Sequence, residues 1–368
     1  MSAPATAPAT APRGPVIAGW SAVSPYGIGR DAFAEGARSG RSTATVAEPG
    51  GEPVPDERVC LARDLVIKEV LGRKGTRSMD RVTGLAVATV RELVTGADGA
   101  TESGADVGLV LGTTTGSAQS MMDITRDTLI HEKPFYIDPS HIPNAIMNCP
   151  AGQCAIWYGL KGPNTTVAAG RSSGLIALNY ARRLLASGRA MTVLCGAVEE
   201  YSPARAWLEW HTRGEDETGV VLGEGCAVLR LRPAEAVADG EGLAEVLAVE
   251  SGVAGPDGAG PSLRSAVERA LRRAGASRED VWAVSPSGPA GLLGEQERTA
   301  LRAGFAGHEV RWIPQPETIG DTAAATAAFQ IVSVLTAAQD DDRAAGRLAV
   351  VTSVDRDGAL ACALLRLL

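Results

Sequence analysis

The chain has 368 residues, of which 45% are hydrophobic and 21% charged. That is a globular composition with enough apolar residues for a sizeable core, and it excludes a disordered chain. Forty-three acidic residues against 35 basic ones leave a formal net charge of −8, which excludes the broad basic field that nucleic-acid binding uses.

Residues 1–13 (MSAPATAPATAPR) have no apolar core, so they read as a disordered leader and not a secretion signal. Folded sequence is expected from Gly14. PVIAGWSAV is a β-type run, closed by the turn-formers Pro25, Gly27 and Gly29. Met79 to Thr95 places Val82, Leu85, Ala86, Val90, Leu93 and Val94 on one helical face. VGLVLGTTTG is a buried strand entering a Gly-rich turn. TTVAAG (165–170), a helix over Ser173 to Ser187 and MTVLCGAV (191–198) repeat that unit, and GCAVLRLRP (225–233) adds a strand. A Gly/Ala/Asp-rich seam near residues 233–242 follows, and the same grammar restarts. LAEVLAVESGVAG, VWAVSPSG, VRWIPQP, LAVVTSV and LACALLRLL are strands, and Ser262 to Ala274 is a helix. Thr322 to Ala338 is long and apolar, but it is mostly Ala and carries Gln330, so a buried helix is expected there and not a membrane span. The alternation implies a layered α/β fold with an internal duplication, divided as 14–234 and 241–368.

Six cysteines, Cys60, Cys149, Cys154, Cys195, Cys226 and Cys362, include no CxxC pair. Buried free thiols in a reducing cytoplasm are expected, with no metal site.

The most informative local feature is GRSSG, Gly170 to Gly174, between a strand and a helix. Such a turn exposes one side chain above backbone N–H donors. Two chemistries compete. GRSSG satisfies G-x-S-x-G, with Ser172 as the nucleophile of a serine hydrolase. That needs a histidine base, and the chain has only His131, His141, His211 and His308, two of them before the serine.

The second rests on resemblance. VIAGWSAVSPYGIGRDAFAEGARSGRS, PNAIMNCPAGQCAIWYGLKGPNTTVAAGRSSG, GVVLGEGCAVL and ALRRAGASREDVWAV resemble, in order, segments of the β-ketoacyl synthases of the thiolase-like superfamily. The resemblance runs from Val16 to Leu367. It implies a five-layer α-β-α-β-α fold with internal duplication. It also implies a set of active-site residues, which this chain lacks. The elbow cysteine is replaced by Arg171, whose guanidinium stays protonated and is no nucleophile. The first histidine's place falls on Ser285 or Pro286. Asp321 takes the second histidine's place, and Pro316 that of the lysine before it. SVDRDGA (353–359) replaces the closing Gly-rich gate.

A ketosynthase-shaped chain without that set resembles the chain length factor of type II polyketide synthases. The resemblance implies a cytoplasmic, non-catalytic subunit in a heterodimer with an active ketosynthase. The factor shapes the tunnel of the growing polyketide, which arrives as a phosphopantetheine thioester on an acyl carrier protein. No cofactor, metal, nucleic acid or membrane is expected for the chain itself. An arginine at the elbow, where chain length factors often have glutamine, and a shortened chain set it apart from the aromatic subclass. They point toward a compact member of a polyene-forming, highly reducing system. The alternatives are the Ser172 hydrolase and a structural homodimer without a tunnel.

Three expectations concern particular side chains. Arg171 and Asp321 either pair across the dead site or are separately solvated. Ser117, Ser120 and Ile124, at i, i+3 and i+7, either gate the tunnel or are small residues required by interface packing. Arg73, Lys74, Arg77 and Arg81 either dock an acidic carrier or form a solvated flank. Trp157 and Tyr158 are candidates for packing across an interface.

Overall fold

The computed structural model describes residues 14–47, 53–95, 102–315 and 317–368, so the leader 1–13 and Pro316 lie outside the described residues. Among the described residues eleven strands form the main sheet, ten of them in one path: β1 (Val16–Ser24), β2 (Val107–Gly112), β3 (Asn164–Val167), β4 (Thr192–Glu199), β5 (Gly225–Arg232), β6 (Ala244–Val253), β7 (Val281–Ser285), β8 (Arg311–Trp312), β9 (Leu348–Val354) and β10 (Ala359–Leu367). Nine helices carry the argument: α1 (Arg30–Ser39), α2 (Arg81–Val94), α3 (Ala118–Ile130), α4 (Cys149–Tyr158), α5 (Ser173–Ala186), α6 (Pro203–Thr212), α7 (Ala259–Arg273), α8 (Gly291–Gly304) and α9 (Thr326–Gln339).

The strand order is β8-β7-β9-β10-β6-β1-β5-β4-β2-β3, with the short strand Gly27–Ile28 beside β1. Within residues 16–232 the strands lie in the order third, second, fourth, fifth, first, and within residues 244–367 that order recurs. The directions recur too. β2 is parallel to β3 and β4, and β5 is antiparallel to β4 and β1. Likewise β7 is parallel to β8 and β9, and β10 is antiparallel to β9 and β6. This is the internal duplication expected from the repeated grammar. The two halves meet where β1 and β6 pair over Val16 with Glu245 and Ile17 with Ala244.

Alternation along the strands sorts side chains into layers. On β4, Val193, Cys195 and Ala197 face a central core, and Leu194 and Val198 face an outer one. On β9, Ala349 and Val351 point inward and Leu348 and Val350 outward. Helices α5 and α9 fill the centre between the two half-sheets; α2 and α4 cover one outer face, and α7 and α8 the other. The result is the five-layer thiolase-like arrangement. Thr326–Gln339, inside the stretch that could pass for a membrane span, is the buried central helix α9. It approaches α5 closely because Gly174 has no side chain; a Cβ there would lie 3.1 Å from the Cβ of Ala327.

Candidate functional site

The centre of the molecule is reached where β3 turns into α5. Gly170 has φ +53°, a left-handed conformation, and a Cβ there would sit 2.2 Å from the carboxylate of Asp355. That carboxylate accepts a hydrogen bond from the Arg171 backbone N–H at 2.7 Å. The turn therefore requires glycine, and it throws the Arg171 side chain toward the second half.

Arg171 meets Asp321 there. Nη1 donates to Oδ1 at 2.8 Å and Nη2 donates to Oδ2, a bidentate pair. Both side chains are largely enclosed, 11% and 18% exposed. Burial opposes both charges. The pairing outweighs it, keeping the guanidinium firmly protonated and the Asp321 carboxyl well below the usual carboxylate range. Asp321 is held from three sides. Its Oδ1 accepts from the Ala323 N–H at 2.9 Å, its N–H donates to the Val221 carbonyl at 2.8 Å, and its carbonyl accepts from Gly223 and from Arg205 Nη2.

A cavity of about 370 Å³ opens over the pair, lined by Arg171, Gly219–Val221, Ser287, Gly288, Gln315 and Asp321 among others. No histidine or cysteine is among its lining residues. An ion-paired guanidinium has no lone pair to offer an acyl group.

Ser285 is fully buried, its hydroxyl donates to the Ile313 carbonyl, and it is absent from the cavity lining; Pro286 beside it is buried too. Ser287, two residues on, stands at the cavity. Its side chain and N–H, with the N–H of Gly288 and the hydroxyl of Thr352, converge on Glu297 at 2.7–3.1 Å. Glu297 has no exposed surface, and burial pushes its carboxyl up despite these donors.

Ser172 is fully buried and its hydroxyl bonds Ser353 Oγ at 3.3 Å. His131, His141 and His211 are exposed and His308 lies partly exposed near Glu279. A buried serine paired with another serine has no base to activate it, so the geometry opposes a hydrolase.

The residues on α3 separate. Ser117 is not on the open face of the helix. It is the N-cap, buried, accepting from the Ser120 N–H at 3.2 Å, and its hydroxyl turns inward to Glu200. Ser120 and Ile124 are half-buried. The basic cluster also divides. Arg73, Lys74 and Arg77 are exposed, but Arg81 bonds Glu224 at 2.6 Å and the carbonyls of Ala62 and Leu65. Arg81 thus braces the body. Trp157 and Tyr158 pack toward α2, with the Tyr158 hydroxyl on the Val87 carbonyl; Ile156, 76% exposed, is the residue of α4 that faces out.

Ile156 belongs to a larger surface. Met121, Met122, Leu129, Ile130, Phe135, Tyr136, Ile142, Ile146 and Met147 are all exposed within one stretch of chain. Beside α4 lies β3, the end of the main sheet, which among the described residues pairs only with β2. An open strand edge next to a large apolar surface is an interaction face.

Sequence reasoning did not single out Glu297, Arg205 or Glu200. A signal existed for Glu297, because a lone acid among the apolar positions of a helix needs buried donors.

Comparison with known proteins matches this geometry. The chain is 46% identical to one in the structure of the ishigamide ketosynthase/chain length factor, covering 96% of this chain and 99% of that one, with a TM-score of 0.92. A β-ketoacyl synthase from Burkholderia phymatum shares the fold at 20% identity and a TM-score of 0.80, over 97% of this chain and all of that one. Among curated proteins, 3-oxoacyl-[acyl-carrier-protein] synthase 2 of Vibrio cholerae is 27% identical over 67% of this chain and 66% of its own length. The Staphylococcus aureus protein of the same name is 26% identical over 86% of each. The chain thus spans slightly less than two thirds of the Vibrio cholerae relative. The β-ketoacyl synthase N-terminal domain model matches residues 15–236, more than half the chain and all of the elbow that carries Arg171, and the chain belongs to the β-ketoacyl synthase family.

Proposed function

We propose that this chain is a non-catalytic, ketosynthase-like subunit. It pairs with an active ketosynthase and shapes the tunnel in which a polyketide grows, so setting chain length. The observation that carries this is the bidentate lock between Arg171 and Asp321 at the elbow. It puts an ion pair where acyl transfer needs a nucleophile. The likeness to the ishigamide ketosynthase/chain length factor supports the same reading. A polyene-forming, highly reducing system is the pathway class we propose for it. The face around Phe135, Ile146 and Ile156, with the open edge of β3, would receive the partner. The substrate would arrive as a phosphopantetheine thioester on an acyl carrier protein, with the partner supplying the cysteine. The exposed Arg73, Lys74 and Arg77 are the part of the basic cluster left to meet that acidic protein. Ser120 and Ile124 remain as gate positions. We place the assembly in the cytoplasm.

Co-expression with an active type II ketosynthase, with a tag on this chain alone, tests the proposal. A stoichiometric complex that condenses malonyl units, when neither chain does so alone, is the expected result. A chain that stays folded and alone would leave a homodimer without a tunnel as the reading.

A further inference from the structure

A row of four side chains at the start of α3 lies away from the Arg171–Asp321 centre and includes the proposed gate position Ser120. Glu200, just after β4, is 1% exposed. Its Oε1 accepts from Ser117 Oγ at 3.1 Å and from the Gln119 N–H at 3.4 Å, and its Oε2 accepts from the Val82 N–H at 3.2 Å. One carboxyl therefore reaches the first turns of both α2 and α3. Ser117 Oγ lies 3.0 Å from Ser120 Oγ, and Ser120 Oγ lies 3.5 Å from Asp80 Oδ2. Asp80 in turn caps α2 by accepting from the Thr83 N–H at 3.1 Å. Two carboxyls are thus joined through two hydroxyls.

The hydrogens in this row can be counted. Three oxygen–oxygen contacts need three hydrogens, and the two hydroxyls supply two. With both carboxyls ionised, one contact is left as acceptor against acceptor. A hydrogen on either carboxyl completes the row in one direction, and the second lone pair of Ser117 still accepts from the Ser120 N–H. The surroundings favour that hydrogen. Glu199 adds a second buried acid beside Glu200. Asp123 is held by the Gln119 side chain, and Cys149 stands near Asp80. Of the cations, Arg81 is committed to Glu224, and Arg205 bonds the Glu200 carbonyl and not its carboxylate. Burial, with Asp80 next, pushes the Glu200 carboxyl up to about 7, and burial raises Asp80 also.

We propose that Glu200 and Asp80 share one proton through Ser117 and Ser120, and that this proton pins the first turn of α3 to α2. Glu200 is then a positioning residue for the helix that carries the gate positions and part of the apolar face. The device is built on contacts within this chain, so it stands whichever partner covers α3.

The sign follows from linkage. The closed form holds the proton more tightly than an open, solvated one, so closure weakens as pH rises toward the carboxyl's raised value and levels above it. Hydrogen exchange of the full chain, corrected for its intrinsic pH dependence, tests this on peptides covering residues 117–130. Opening should increase about tenfold or more between about pH 5.5 and 7.5 in the wild type. Peptides from α7, on the opposite outer face, serve as the control and should not change. Glu200→Gln keeps the shape, cannot ionise, and should abolish the slope. If that variant does not fold, Asp80→Asn removes one acid of the pair and should reduce the slope. A wild-type profile without the slope, or a slope of wild-type size in either variant, overturns the proposal.

Discussion

The turn before α5 and the turn before α9 hold equivalent places in the two halves, and each joins a glycine of positive φ to a charged residue. Gly170, at +53°, precedes Arg171, and Gly320, at +71°, precedes Asp321. Only the first is a sharp elbow, because α5 begins two residues after Arg171. In the second half a single helical turn, Ala323–Ala325, intervenes before α9. The sharp turn lifts one side chain into the centre and the long turn brings a partner to it. Here that partnership holds two opposite charges, so the duplicated fold keeps its geometry while the centre is occupied by a salt bridge.

Breaking this pair from one side should have the largest effect. Arg171→Ala leaves the Asp321 carboxylate enclosed without its counter-charge, and a loss of about 3–5 kcal/mol is expected in urea unfolding. Replacing both, Arg171→Met with Asp321→Leu, removes the uncompensated charge and should recover most of that loss. The same comparison has a pH arm. The Asp321 carboxyl is held below its ordinary value, so the pair's contribution is full above about pH 4 and is lost as pH falls further. The wild type should therefore lose stability more steeply below about pH 4 than the double variant. Equal slopes would remove the pair from the account of stability.

Gly170→Ala attacks the sharp turn alone. The new Cβ meets the Asp355 carboxylate at 2.2 Å and the left-handed backbone disfavours it, so about 1–3 kcal/mol of destabilisation is expected. Gly320→Ala tests whether the long turn is equally intolerant. Its Cβ would meet backbone, the Val221 carbonyl at 2.8 Å and the Gly223 N at 2.9 Å, which cannot turn aside as the Asp355 side chain can, so a comparable loss should follow. A much smaller loss at Gly320 would make the sharp turn the less tolerant of the two.

Much of this was legible in the sequence, and the failures share a cause. Strand and helix alternation rests on periodicity, and the common pocket of Arg171 and Asp321 on order along a long match; that the two pair, and are not separately solvated, comes from the structure. SPSGPAG has no periodicity to show which of its residues meets the cavity; Ser287 does, held there by Glu297, while Ser285 is buried on the Ile313 carbonyl. Arg81 read as part of a surface cluster because its partner, Glu224, lies 143 residues away. Ser117 fitted the i, i+3, i+7 spacing, but a serine before a helix is first a candidate cap, and capping turned it inward.

A smaller effect on stability, with a larger one on product, is expected from Ser120→Phe. The Ser120 hydroxyl bridges Ser117 and Asp80, so the ring also breaks the row that pins α3, and a loss of about 1–2 kcal/mol is expected. In a complex with an active ketosynthase the ring should shorten the product. Unchanged product length would return Ser120 to interface packing.

The smallest effect sharpens the comparison of turns most directly. Ala323 is the one non-glycine residue with positive φ, +41°, among the described residues, and it lies in the long turn that presents Asp321. Its N–H donates to the Asp321 carboxylate at 2.9 Å, so the strained backbone helps aim the acid at Arg171. Ala323→Gly relieves a left-handed penalty of about 1 kcal/mol but adds freedom to the unfolded chain, and the two nearly cancel. A change within about 1 kcal/mol is expected in the wild type. In the Arg171→Met, Asp321→Leu background the strain no longer aims a charge, so the glycine should stabilise by at least as much as in the wild type. A clear loss in that background would mean that the turn is held by packing around Ala323 and not by the ion pair.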